Sequence, residues 1–140
     1  MNVPALSCLV VDDEPLAAER LAGLIAALPD CRVAGIAGNA GEAYALIGTL
    51  QPDLVLLDIT MPGESGLELA QRLQTMAHPP LVVFCTAYDA HALKAFEAQA
   101  IDYLLKPVRA ERLADSIERA RRLKAALAVE ATPSVVSASV

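Results

Sequence analysis

The chain has 140 residues, 55% of them hydrophobic and 20% charged, with a formal net charge of −6. That length suits one domain with a real core, and the composition excludes general disorder. The negative balance excludes binding of nucleic acid through overall charge, and no apolar run approaches the roughly 18 residues that a membrane span needs.

The first residues, "MNVPALSCLVVDDEP", have no basic stretch before the apolar run and meet acids at once, so they make a poor signal peptide. A cytoplasmic protein is the expectation. The run "ALSCLVV" reads as a buried strand, and Asp12 and Asp13 follow it directly. Pro15 is fit to open a helix, in which Leu16, Leu21, Leu24, Ile25 and Leu28 form an inner stripe. A second strand, "CRVAGIA", precedes a helix over about 41–50. A third, "DLVLLD", ends on Asp58, and a turn with Pro62, Gly63 and Gly66 leads into a helix over about 65–76. A fourth, "LVVFCT", ends on Thr86 and leads into the helical segment "AHALKAFEAQA". A fifth, "IDYLL", ends at Lys106, and a last helix begins near Ala110 and runs through Leu113, Ile117, Ala120 and Leu127. The tail from Ala125 reads as a linker or loose terminus.

Five strand–helix units in alternation predict a doubly wound five-stranded parallel sheet with five helices. The strands are nearly all apolar, as strands covered on both faces must be. Three cysteines, Cys8, Cys31 and Cys85, form no C-x-x-C pair and read as core or boundary residues. Charge is uneven. Residues 1–93 hold 3 basic and 11 acidic side chains, net −8, and residues 94–140 hold 8 and 6, net +2. The basic run "ERARRLK" reads as a solvated helix face.

Ligands of such sheets bind beyond the carboxyl ends of the strands. Asp12, Asp13, Asp58, Thr86 and Lys106 all stand at such ends. Neighbouring strands lie about 4.8 Å apart, so these side chains share one pocket. Clustered carboxylates repel unless a cation joins them, and Mg²⁺ takes one or two carboxylates while keeping several waters. Aspartate forms acyl phosphates, and phosphoryl transfer asks the protein mainly to position groups and neutralise charge. An acidic pair at a helix start also suits the helix dipole, so Asp12 and Asp13 carry weight only within the set.

The motifs "LVVDDEP", "LVLLDITMPGESGLEL", "VVFCTAYD" and "YLLKPV" resemble the receiver domain of two-component response regulators, over residues 5 to about 124. The resemblance implies a flavodoxin-like fold with strand order 2-1-3-4-5, a receiver over 1–124, and a linker over 125–140 leading to an output domain. It implies Asp58 as phosphoacceptor, Mg²⁺ on Asp12, Asp13, Asp58 and the Thr60 carbonyl, and Thr86 and Lys106 on the phosphate. Tyr103 is implied as an aromatic switch that turns inward, and the Lys106–Pro107 bond as cis. A sensor histidine kinase is the implied donor. A phosphorylation-dependent homodimer through the fourth helix, fifth strand and fifth helix is implied as well. The stretch "TAYDAHALKAFEAQAIDYLLKPV" is similar to the LytTR class, the LytR/AlgR family. There the receiver precedes a DNA-binding domain that these 140 residues do not include.

Three other readings compete. A stand-alone receiver acting as a phosphorelay shuttle carries the same residues. A small Mg²⁺-dependent phosphohydrolase with an aspartyl intermediate usually needs a second carboxylate two residues past the nucleophile, where Thr60 stands. A flavin-binding module wants a Ser/Thr/Gly-rich loop after the first strand, where "DDEP" stands.

Overall fold

A computed structural model describes residues 4–87 and 100–130. The five apolar runs form strands β1 (Leu6–Val11), β2 (Cys31–Ala37), β3 (Leu54–Leu57), β4 (Leu81–Thr86) and β5 (Asp102–Leu105). They pair in parallel in the order β2-β1-β3-β4-β5, the flavodoxin-like arrangement. The chain winds outward from β1 to β2, then crosses back to β3. The gap between the ends of β1 and β3 is therefore the topological switch point, where a cleft must open.

Alternate side chains of each strand feed two separate core layers. Leu9, Val11, Val55, Leu57, Val82 and Phe84 pack on one face of the sheet. Val10, Leu54, Leu56, Val83, Cys85 and Leu104 pack on the other. All are buried, because helices cover both faces. Cys8 and Cys85 are buried and Cys31 half-buried, all three free. Burial pushes the Cys8 thiol up to about 12, so it is an inert core thiol.

The helices among the described residues are α1 (Pro15–Ala26), α2 (Ala40–Leu50), α3 (Gly66–Leu73) and α4 (Ala110–Glu130). The fourth expected helix, "AHALKAFEAQA", lies outside the described residues but for Ala100. Pro15 opens α1, and Ala18, Leu21 and Ile25 give it one buried stripe. Asn39 caps α2, its side-chain oxygen accepting from the Glu42 N–H at 2.8 Å. Ser65 and Glu68 form a reciprocal capping box on α3. That box sets the start of α3 after Ser65. The helix ends at Leu73, short of the expected 76, because the Thr75 and Met76 amides bond back to Arg72 and Leu73 in tight i−3 turns.

The last helix runs longer than expected. It continues past Lys124 through the alanine-rich stretch to Glu130, since alanine has the highest helix propensity. Nor is "ERARRLK" merely a solvated face. Arg119 donates to the Ile101 carbonyl at 3.0 Å, Arg121 to the Pro29 and Asp30 carbonyls, and Lys124 pairs with Asp53 at 2.9 Å. Among the described residues no helix is long and apolar enough to cross a membrane.

Candidate phosphoacceptor cleft

Three residues at the cleft sit one position beyond a strand, and each is pinned by its own backbone. The Asp12 N–H donates to Ala37 at the end of β2, at 3.0 Å. The Asp58 N–H donates to Val11 at the end of β1, at 3.0 Å, and the Lys106 N–H to Thr86 at the end of β4, at 2.8 Å. Each side chain thus leaves the sheet from a fixed point, with the ladder extended one step to hold it. Lys106 is followed by Pro107 through a cis peptide bond, as the resemblance implied.

Asp12 and Asp58 are buried, and Asp13 is exposed beside them. One carboxylate oxygen from each of the three lies within 4.8 Å of the others. The Lys106 ammonium reaches between two of them, 2.7 Å from Asp12 Oδ2 and 3.2 Å from Asp58 Oδ2. The remaining oxygens of that buried pair are met by backbone. Asp12 Oδ1 accepts from the Glu14 N–H at 2.9 Å, and Asp58 Oδ1 from the Thr60 N–H at 3.3 Å. Three carboxylates and one ammonium leave an excess of negative charge in a confined space. Burial raises the Asp58 carboxyl above its usual range, although Lys106 pulls the other way and Asp12 adds to the rise. Burial also works against the Lys106 charge, but the bonds to Asp12 and Asp58 prevail and hold it above its ordinary value. An all-oxygen donor set with surplus negative charge and an open side suits a hard divalent cation, and Mg²⁺ fits it.

Beside the acids an open cleft of about 250 Å³ is lined by Asp58, Thr60, Thr86, Ala87 and Lys106. Four of the residues picked from sequence therefore share one cleft, and Asp12 and Asp13 flank it. Tyr103 stands apart. It is half-buried on β5 and packs against the core layer that holds Leu9 and Phe84.

Gly66, expected in the turn, is instead the first residue of α3 and has a supporting role that the motif reading did not assign. Its amide donates to the Ile59 carbonyl at 2.8 Å, and its Cα lies against the backbone of Asp58. A Cβ there would stand 2.0 Å from the Asp58 carbonyl oxygen. The available signal was a glycine at the first helical position after a serine cap, where helix propensity argues against it.

The response regulator receiver domain profile matches residues 8–118. The positive alginate biosynthesis regulatory protein of Pseudomonas aeruginosa is 52% identical over 118 residues, covering 84% of this chain and 48% of that protein. The sensory transduction protein LytT of Bacillus subtilis is 42% identical over 118 residues, covering 84% and 49%. The chain thus spans about half the length of the curated relatives it matches. Among solved structures, the receiver domain of the putative response regulator NarL from Mycobacterium tuberculosis superposes with a TM-score of 0.78 at 27% identity, covering 85% and 98%. The response regulator TrrA from Thermotoga maritima, solved with Mg²⁺ and BeF, gives 0.73 at 30% identity, covering 81% and 97%. The chain belongs to the receiver domains of two-component response regulators, and its relatives are those of the LytTR class, the LytR/AlgR family.

Proposed function

We propose that Asp58 accepts a phosphoryl group from the phosphohistidine of a sensor kinase, in a Mg²⁺-dependent step in the cytoplasm. The modification switches a DNA-binding output domain in a longer protein that regulates transcription. The observation that carries this reading is the placement of Asp58: buried, fixed at the end of β3, open to a cleft, with Lys106 at 3.2 Å and two further carboxylates beside it.

One Asp58 oxygen attacks phosphorus from the cleft side. A P–O bond forms, the P–N bond of the donor breaks, and its electron pair returns to the ring nitrogen; with a proton on the other ring nitrogen the donor leaves as neutral histidine. Asp12, Asp13, Asp58 and the Thr60 carbonyl would hold Mg²⁺, which would supply charge neutralisation for the transferring group. Asp58 is kept ionised enough to attack by the Lys106 ammonium, which also neutralises the charge that arrives. The Thr86 hydroxyl donates to a phosphoryl oxygen, and Tyr103 turns inward behind it. No outside substrate is turned over; slow attack of water on the acyl phosphate resets the switch. A phosphohydrolase is the weaker reading, because exposed Thr60 offers no acid or base where such an enzyme needs one.

The test is intact-mass measurement after incubation with acetyl phosphate and Mg²⁺. The parent gains one phosphoryl group and Asp58→Asn gains none. An equal gain on both proteins sinks the assignment.

A further inference from the structure

Lys106 borders a second cleft besides the one at Asp58. This cleft holds about 320 Å³, within the range of about 300–1,000 Å³ that small-molecule sites occupy. Its floor is apolar and closed: Leu21 of α1, Cys85 of β4 and Val108 beyond β5 line it, and all three are buried. Ala17, Arg20 and Leu21 are spaced to share one face of α1, which forms one wall. Exposed Pro107 lines the cleft from the loop between β5 and α4. Ala17 is small and half-buried, so the slot stays open where a longer side chain would fill it.

Three charged groups border this apolar space, and they are not equivalent. The Asp12 carboxylate and the Lys106 ammonium are joined at 2.7 Å, and Lys106 also reaches Asp58 at 3.2 Å. Arg20 is exposed and has no ion-pair partner among the described residues. From Pro15 to Arg20 the helix climbs about 7.5 Å. Asp13 and Glu14 stand just before that helix, so the acids gather at one end of the cleft and the unmatched guanidinium at the other. A carboxylate entering the cleft is repelled at the Asp12 end and attracted at the Arg20 end. Guanidinium suits that group, because its fork meets both carboxylate oxygens at once.

We propose that this cleft binds a small apolar carboxylate, its hydrocarbon body on Leu21, Cys85 and Val108 and its carboxylate on Arg20. The charge pattern sets the orientation, with the body toward the Asp12–Lys106 pair and the head toward solvent. Binding here requires no phosphoryl transfer at Asp58 and stands or falls apart from it.

Heteronuclear NMR titration of the 140-residue chain with 2-naphthoate and with octanoate, no phosphodonor present, tests it. The expected result is saturable shifts, for at least one of the two acids, at the amides of Ala17, Leu21 and Val108. The matching amide compounds, 2-naphthamide and octanamide, carry the same body without the charge. They bind roughly fivefold more weakly, the upper end of what an exposed ion pair contributes. Arg20→Glu loses at least as much affinity for the acids and leaves that for the amide compounds unchanged. Ala17→Phe, which fills the slot, loses both. No saturable shift with either acid at millimolar concentration overturns the proposal. So does an affinity for the acids that Arg20→Glu leaves unchanged. Shifts of the lining amides that grow with protein concentration alone also overturn it, since they would put a second copy in the cleft. Should Ala17→Phe fail to fold, the Arg20→Glu comparison decides.

Discussion

At Gly66 a single methyl group has nowhere to go. The position belongs to the first turn of α3, and alanine there is worth roughly 0.5–1 kcal/mol in helix propensity over glycine. Against that stands a backbone oxygen, that of Asp58, 2.0 Å from the new carbon. Backbone cannot swing aside as a flexible side chain does, so the strand end must move. Gly66→Ala is expected to lower stability by about 1–3 kcal/mol, the usual cost of overpacking. It should also slow phosphoryl uptake by displacing Asp58, whose attack depends on its direction. Urea midpoints and the rate of mass gain from acetyl phosphate measure the two effects. A variant as stable and as reactive as the parent would mean that the turn relaxes freely. The acids at the strand ends were legible because their residue types and spacing carry chemistry. Gly66 was not, since its importance lies in a close approach that sequence spacing does not reveal.

Between elements, the link that stands out is Asp102. The carboxylate opens β5, yet it accepts from both arms of Arg112 at 2.9 and 3.0 Å and from Ser116 Oγ at 2.9 Å, all on α4. The second Arg112 arm also reaches the Tyr103 carbonyl at 3.1 Å, so the fork ties α4 to the backbone of the expected switch residue. Burial works against the Asp102 charge, but Arg112, the Tyr103 N–H and Ser116 outweigh it and hold the carboxyl below its usual range. A depressed carboxyl contributes stability above its unfolded value of about 3.9, and that contribution is lost as pH falls through the lower folded value. Asp102→Asn is therefore expected to cost about 1–2 kcal/mol at pH 7, allowing for the exposed flank of Arg112. The gap between parent and variant stays level down to about pH 4 and closes below it. Urea midpoints at pH 7 and pH 3 check this, and a gap equal at both values would remove the ionic contribution. The strands were readable because burial on both faces writes them as unbroken apolar runs. The long-range bonds of Arg112, Arg121 and Lys124 were not, because a basic run looks the same whether it faces water or caps the lower edge of a sheet.

For the whole molecule, the expected dimer face includes β5 and α4, and its remaining part, with Lys94 and Glu97, falls outside the described residues. Several of the charges assigned to that face are already used within the chain. Asp102 is saturated by Arg112 and Ser116, so it is a poor partner across a two-fold axis. Arg119 differs: it donates to the Ile101 carbonyl and remains exposed, available to an acid on a second copy. On the proposed function, pairing through this face would be weak until the switch reshapes it. A ligand shifts a two-state balance only through contacts that differ between the states, and moving from about 1:99 to 99:1 takes about 5.5 kcal/mol. On the proposed function, a phosphoryl mimic at Asp58 would find those contacts in Thr86 and Lys106. Beryllofluoride with Mg²⁺ is accordingly expected to raise the dimer fraction in sedimentation velocity. Arg119→Glu should weaken the gain, because it reverses an exposed charge of the helix that is not locked to a carboxylate of β5. Asp58→Asn should remove the gain altogether, since the mimic then has no ligand to occupy. A mass that stays monomeric at high concentration with the mimic bound would leave this face solvated, and the signal would have to pass instead through the end of α4 to whatever the chain carries beyond it.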